Sequence, residues 1–239
     1  MQPAAIVFDL FGTLLDITSL RVAASPLVPD PAAFVAVWRE KQLAYAFTAS
    51  LMDRYENFDR LTERALRFAL ARQAVTLRER GVNTLVAAWR NLQPYEDARL
   101  ALEDVRRLGL RCAILTNGTV ETASAALSNS GLAGSIDVVL SVEVVATYKP
   151  SRRVYALATD HCGVSPERLT FVTANGWDAT GAAEFGLHVV WCNRSGLPAE
   201  TFGAPPASTI RSLSELVSRI SNGVTQSECG KAPSDCRPI

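Results

Sequence analysis

Four short stretches of this chain combine residue types that can make or break bonds. The first is Phe8-Asp9-Leu10-Phe11-Gly12-Thr13-Leu14, where a carboxylate closes an apolar run and precedes Gly and Thr in a tight turn. Shielded from water, such a carboxylate can serve as a nucleophile. The second, Thr116-Asn117-Gly118, offers a hydroxyl and an amide at the end of another apolar run. Both are donors for an anion. The third is Tyr148-Lys149-Pro150-Ser151; only three of the 24 basic residues are lysines (Lys41, Lys149, Lys231), so an ammonium inside a motif stands out. The fourth, Thr173-Ala174-Asn175-Gly176-Trp177-Asp178, carries a second carboxylate. Singly, each has a plain explanation. Asp9 reads as a turn cap, Asn117-Gly118 as a turn, Lys149 as a solvated charge and Asp178 as an acid at a helix N-terminus.

The elements that must position these groups are five apolar runs at residues 4–10, 111–115, 137–141, 169–172 and 187–192. They lack the polar alternation of a half-exposed sheet, which points to parallel strands covered on both faces. Amphipathic helices are expected between and after them, at 95–108, 120–130, 151–162, 177–185 and 212–221. Gly109, Gly131, Gly163 and Gly186 fall where a left-handed cap residue belongs. The alternation predicts right-handed βαβ units in an open α/β sheet. Residues 16–94 break it with helical spacing (Phe34, Val37, Trp38, then Leu43, Phe47, Leu51) and no convincing strand. They are expected to form a helical cap inserted after the first strand. Residues 1–15 and 95–221 would be the core domain, and the aperiodic 222–239 a disordered tail.

Composition removes other classes. The 239 residues include 24 basic and 24 acidic side chains, for a net charge of zero and a pI of about 6.7. That balance gives no electrostatic footprint for nucleic acid or an anionic membrane. No apolar run is long enough to span a bilayer, and no basic signal-peptide start is present. Five cysteines, an odd number in a chain of this size, suggest a reducing compartment, the cytoplasm. Cys112, Cys162 and Cys192 read as small core residues. His161 and His188 receive no role, and no metal cluster is evident.

Together the four motifs stand in the order of the haloacid dehalogenase superfamily, and residues 4–221 resemble its 2-haloacid dehalogenase family. The likeness extends to Val37-Trp38-Arg39-Glu40-Lys41-Gln42-Leu43, Ser50-Leu51-Met52, Tyr155 after Lys149-Pro150, Asn175 to Ala182, and Asn193-Arg194. The resemblance implies a Rossmann-like sheet of strand order 3-2-1-4-5, with the motifs converging at its switch point. It also implies a cofactor-free hydrolysis of a small 2-haloacid, with L substrate giving D product. A homodimer is permitted by apolar cap and helix faces.

By the same resemblance Asp9 is the nucleophile, Lys149 keeps it ionised, and Asp178 handles the hydrolytic water. Thr173 and Asn175 support that water and Lys149, while Thr13 and Tyr155 position the nucleophile and the lysine. Arg39 and Asn117 hold the departing halide; Thr116 and the backbone amides of Leu10 and Phe11 hold the substrate carboxylate. Phe11, Leu43 and Trp177 line an apolar pocket. Outside that match, Arg39 would read as a surface charge, and Tyr155 and Trp177 as packing residues.

The alternatives are a Mg²⁺-dependent phosphatase or phosphonatase and a silent anion-binding relative. The phosphatases place an acid two residues after the nucleophile, where this chain has Phe11, and a further acid at the fourth strand, where it has Thr173-Ala174-Asn175. A halide departs as a stable anion and needs neither. Thr116 and Thr173 stand where serine is frequent and Phe11 where tyrosine is, so rate and substrate range are expected to differ more than reaction type.

Overall fold

The computed structural model of the chain describes residues 3–225. It begins with strand β1 (Ala5–Phe8) and the two-residue β2 (Leu15–Asp16). Four helices follow, α1 (Leu20–Ala24), α2 (Pro31–Leu51), α3 (Phe58–Arg72) and α4 (Glu79–Ala87), then the two-residue β3 (Gln93–Pro94). The chain continues through α5 (Ala98–Arg107), β4 (Arg111–Thr116), α6 (Val120–Asn129), β5 (Val138–Ser141), α7 (Arg152–Cys162) and β6 (Leu169–Thr173). It ends with α8 (Gly176–Phe185), β7 (His188–Cys192), β8 (Ser208–Ile210) and α9 (Leu216–Thr225).

Six strands form one parallel sheet in the order β5-β4-β1-β6-β7-β8. The five expected strands stand in the expected sequence 3-2-1-4-5. The sixth, β8, extends the edge beyond β7; its three residues, of which only Ile210 is buried, are too short to leave a periodic signal. Strand β1 alternates between two cores. Ile6 and Phe8 face one with Ile114, Val172 and Val190, while Ala5 and Val7 face the other with Leu115, Phe171 and Val189. Both faces are therefore apolar, as a doubly covered parallel sheet requires.

Local chemistry sets the helix ends. The Asp30 carboxylate accepts from the Ala33 amide at 3.0 Å, and Pro31 occupies the first position of α2. The Asn57 side chain caps α3 in the same way, and Thr119 caps α6. Gly163 and Gly186 end α7 and α8 in the left-handed conformation expected of them. Helix α9 begins after a tighter turn at Leu213–Glu215 and runs past residue 222, where a tail was expected to start. The rest of that tail, with Cys229 and Cys236, lies outside the described residues.

The helices of residues 20–87 leave and rejoin the sheet through β2 and β3, which pair antiparallel, Leu15 opposite Pro94. Sequence periodicity missed this pair because two residues carry none. Beside it the Arg194 guanidinium grips Asp97 with both terminal nitrogens (2.6 and 2.8 Å), lies 4.1 Å over the Tyr95 ring, and donates to the Thr13 carbonyl at 3.3 Å. Asp97 also accepts from the Ser212 hydroxyl at 2.6 Å and the Leu213 amide at 2.8 Å. Burial by itself would raise the Asp97 pKa, but the bonds from Arg194, Ser212 and Leu213 outweigh it and hold the carboxyl below its ordinary value.

A depressed carboxylate stabilises the fold above the ordinary carboxylate range, and that stabilisation is lost as pH falls through its own lower pKa. Asp97→Asn is therefore expected to cost about 1–3 kcal/mol in urea unfolding near neutral pH. The gap from the unaltered protein should narrow in acid; an equal gap near pH 7 and about pH 3 contradicts this.

Candidate active site

Strand β1 lies between β4 and β6, so the turns after all three open on one crevice at the carboxyl ends of the strands. Asp9 follows the last residue of β1 and is anchored by its amide to the Val172 carbonyl at 2.9 Å. The turn that follows reverses the chain at Gly12, whose φ of +92° is costly for any residue with a Cβ. The turn's own hydrogen bonds use the amides of Gly12, Thr13, Leu14 and Leu15. Those of Leu10 and Phe11 stand outside that pattern.

Three donors hold Asp9. Lys149 Nζ reaches Oδ1 at 3.0 Å, while the Thr13 hydroxyl and Asn175 Nδ2 both reach Oδ2 at 2.9 Å. Thr13 is itself fixed by accepting from the Ala174 amide at 2.9 Å. The Lys149 ammonium is only 1% exposed and also bonds Asp178 Oδ2 at 2.9 Å. The other oxygen of Asp178 accepts from the Tyr155 hydroxyl at 2.8 Å. Nucleophile candidate, ammonium, second carboxylate and phenol thus form one continuous chain. Helix α8 can approach this closely because residue 181 is glycine; a Cβ there would fall 2.7 Å from the Tyr155 hydroxyl and 2.5 Å from Pro150.

The charges adjust to one another. Burial alone lowers the Lys149 pKa, but Asp178 and Asp9 outweigh it and leave it above the ordinary lysine value. Burial raises the Asp178 carboxyl, Lys149 partly offsets this, and the charge of Asp9 adds to the rise. Tyr155 is driven well above its usual value by burial and by Asp178, so it remains a hydroxyl donor.

Further polar groups of the crevice come from the end of β4 and from α2. Thr116 Oγ1 accepts the Gly118 amide at 3.0 Å, and Asn117 Oδ1 accepts the Lys149 amide at 3.0 Å. Among the described residues Asn117 Nδ2 has no hydrogen-bond partner, which leaves it free to donate. Arg39 of α2 lies 5.9 Å from the Trp89 ring centroid. Desolvation lowers its pKa to about 10, against the pull of Asp9 and Asp178. Phe11 meets Trp89 edge to face at 5.5 Å, and the two help to line a cavity of about 100 Å³ with Phe58 and Thr62.

Asp9, Thr13, Lys149, Tyr155, Asn175 and Asp178 meet through side-chain hydrogen bonds, with three differences in detail from the expected roles. Asn175 bonds the nucleophile candidate rather than the lysine, because Lys149 Nζ is taken up by the two carboxylates. Thr173 Oγ1 closes a turn by accepting the Asn175 amide at 3.2 Å and does not reach Lys149. Tyr155 bonds Asp178 instead of the lysine. Leu43 and Trp177 are joined to the cluster by chain position: Leu43 is half-buried one turn beyond Arg39, and Trp177 precedes Asp178. The Trp177 ring packs on Phe47 at 5.2 Å and lines a separate, larger cavity of about 890 Å³.

Sequence reasoning missed several contacts that tie α2 and α3 to the sheet's loops. The Tyr148 amide donates to Ser50 Oγ at 3.0 Å, and its hydroxyl to the Glu56 carbonyl at 2.5 Å. Asp59 accepts from the hydroxyls of Thr119 (3.0 Å) and Thr122 (2.9 Å). Trp89 was also missed. Nothing in their local pattern separates these residues from ordinary helix caps and core aromatics.

The donor set does not suit a divalent cation. Lys149 Nζ already lies within 3.0 Å of both carboxylates, and position 11 presents a ring in place of a further carboxylate. Among the described residues no three His, Cys, Asp or Glu side chains form a metal-binding group.

The profile of the haloacid dehalogenase-like hydrolases matches residues 3–186. An (S)-2-haloacid dehalogenase of Pseudomonas putida is 38% identical over 218 residues, covering 90% of this chain and 97% of that one. The (S)-2-haloacid dehalogenase 4A of Burkholderia cepacia is 40% identical over 223 residues, covering 93% and 96%. The solved structure of an L-2-haloacid dehalogenase from Xanthobacter autotrophicus, with chloropropionic acid covalently bound, superposes with a TM-score of 0.85. It is 31% identical, covering 92% of this chain and 99% of that one. The chain belongs to the haloacid dehalogenase-like hydrolases and, within them, to the 2-haloacid dehalogenases.

Proposed function

We propose that this protein hydrolyses short 2-haloalkanoic acids of the L configuration to D-2-hydroxyalkanoic acids. The observation that carries this reading is the buried chain Asp9–Lys149–Asp178, in which one ammonium serves two carboxylates. Asp9 Oδ2 accepts two hydrogen bonds, whereas Oδ1 accepts one and keeps a lone pair available. Oδ1 attacks the α-carbon from the side opposite the halogen, and the C–X electron pair leaves with the halide. The configuration inverts and an aspartyl ester forms.

Arg39 and Asn117 Nδ2 receive the halide. Thr116 and the amides of Leu10 and Phe11 orient the substrate carboxylate. Phe11 and Leu43 supply apolar walls, while Trp177, packed on Phe47, faces the neighbouring cavity that Lys149 also lines. In the second step Asp178 takes a proton from water, which adds to the ester carbonyl carbon. On collapse the departing alkoxide oxygen, which began on Asp9, takes the proton from Asp178 and leaves as the hydroxyacid, while the solvent oxygen stays on the Asp9 carboxyl, which releases its proton to water. Thr13 and Asn175 hold the nucleophile in place, Thr173 shapes the turn that presents Asn175, and Tyr155 orients Asp178.

The helical segment 16–94 acts as a lid over the core formed by residues 1–15 and 95–221, since it delivers Arg39 and rests on the loops that carry Asn117 and Lys149. No helix among the described residues is long and apolar enough to cross a membrane. Free thiols at Cys112, Cys162 and Cys192 suit a reducing compartment such as the cytoplasm. Exposed Leu51 and Met52 on the lid offer apolar surface for a homodimer.

Release of chloride from one enantiomer of 2-chloropropionate in excess EDTA tests the reading; a folded protein inert toward both enantiomers rejects it. Asp178→Asn is expected to release about one halide per enzyme and stall, with the alkylated Asp9 peptide visible by mass spectrometry. Asp9→Asn should release none. If Asp178→Asn turns over at the normal rate, Asp178 is not the base.

The pH dependence carries a defined sign. A base with a raised pKa loses its ionised form at a higher pH than an ordinary aspartate. The acid limb of turnover should therefore lie above the usual carboxylate range. Tyr155→Phe keeps the ring packing but removes a hydrogen bond that lowers the Asp178 pKa. The acid limb should then move upward by roughly one unit. An unmoved or lower limb disproves the assignment.

A further inference from the structure

The buried stripe of α2 reads Phe34, Val35, Trp38, Gln42 and Ala46, a helical face interrupted by a single carboxamide. Gln42 is 0% exposed. A buried amide is costly unless its polar atoms are bonded. Gln42 Nε2 lies 2.5 Å from Thr62 Oγ1 on α3, and Gln42 Oε1 lies 2.7 Å from Arg39 Nη1. The Thr62 hydroxyl is committed in turn, donating to the Phe58 carbonyl at 2.7 Å.

The direction of this chain follows from donor counting. A hydroxyl has one hydrogen, and that of Thr62 is spent on Phe58. Thr62 Oγ1 can therefore only accept from Gln42, which turns the amide NH₂ toward α3. The carbonyl oxygen of Gln42 then points at Arg39, whose five N–H groups can only donate. The Trp38 indole, donating to the Thr62 carbonyl at 2.8 Å, pins α3 to α2 at the same residue.

We propose that Gln42 and Thr62 are positioning residues for the halide-binding Arg39, with Thr62 fixing the orientation of the Gln42 amide. The reason for a neutral acceptor is chemical. A carboxylate at residue 42 would hold Arg39 equally well but neutralise it, and would compete with the departing anion. A carbonyl engages one N–H and leaves the positive charge and the remaining donors for the halide. The Thr62 hydroxyl is taken up by Gln42 and the Phe58 carbonyl, and Gln42 is fully buried, so both act on the halide through Arg39. The inference rests on the assignment of Arg39 to the halide.

Inhibition of 2-chloropropionate hydrolysis by added bromide provides the test, with thermal midpoints recorded alongside. Thr62→Val removes the hydroxyl at nearly constant volume and takes away the acceptor of the buried Gln42 Nε2. With its Nε2 left buried and unpaired the Gln42 side chain shifts and loosens its hold on Arg39, which should raise the bromide inhibition constant about tenfold and slow ester formation, leaving ester hydrolysis little changed. Thr62→Ser, which restores the hydroxyl, should return the constant to within about twofold of the starting value. Should Thr62→Val fold poorly, Gln42→Met removes the acceptor on α2 and should weaken bromide inhibition to a similar extent. Gln42→Glu should weaken it too, by neutralising the guanidinium.

Arg39→Gln is the control that separates the two layers of the argument. If Arg39→Gln abolishes bromide inhibition while Thr62→Val and Gln42→Met lower only the thermal midpoint, the relay is disproved and the halide site stands. If Arg39→Gln leaves bromide inhibition intact, the halide assignment fails and the relay falls with it.

Discussion

An ammonium ion locked between two carboxylates in the protein interior is the constraint around which the rest is arranged. Lys149 has almost no access to water, and taking such a charge out of solvent is unfavourable unless its partners are close and fully bonded. The structure satisfies that condition from several directions. Thr13 and Asn175 complete the coordination of Asp9, and Tyr155 completes that of Asp178. With two carboxylates and one lysine the group tends toward excess negative charge, and the guanidinium of Arg39 is the nearby cation whose titration both carboxylates influence.

The sheet topology is what allows residues so far apart in sequence to meet. Asp9, Asn117 and Lys149 come from the loops after β1, β4 and β5, and Asp178 from the first turn of α8 after β6, four strands that lie side by side in the sheet. The turns bring their own order. A left-handed glycine turns the chain after Asp9, and a glycine in α8 lets that helix settle against Pro150 and Tyr155. Arg194 then ties the carbonyl of Thr13 to Asp97, beside the paired strands through which the helical segment joins the sheet. The dipeptide Asn193-Arg194, which the chemistry does not use directly, thereby has a structural reason.

Much of this could be read from the chain before any coordinates. Continuous apolar runs such as Ile6-Val7-Phe8 announce buried parallel strands because neither face of the sheet meets water, and glycines such as Gly163 and Gly186 mark helix ends because few other residues tolerate that backbone conformation. The members of the site were visible as a joint pattern of types. Their partners were not: Asn175 could as well have served the lysine as Asp9, and only side-chain direction decides. Three-residue β8 and two-residue β2 and β3 leave no periodicity to detect. Gln42 was hidden for another reason. One polar residue inside an apolar stripe looks like an imperfection until its bonding partners are seen to run from α3 to Arg39.

The loop bearing Lys149 is stitched to the helical segment on both sides of the Tyr148 ring, through Ser50 and the Glu56 carbonyl. Its amide is stitched to the sheet through Asn117. A displacement of α2 from the sheet would strain or release the first pair of stitches, and so tug on the very segment that supplies the positive charge. The position of α2 and the position of the ammonium beside Asp9 therefore share a mechanical linkage.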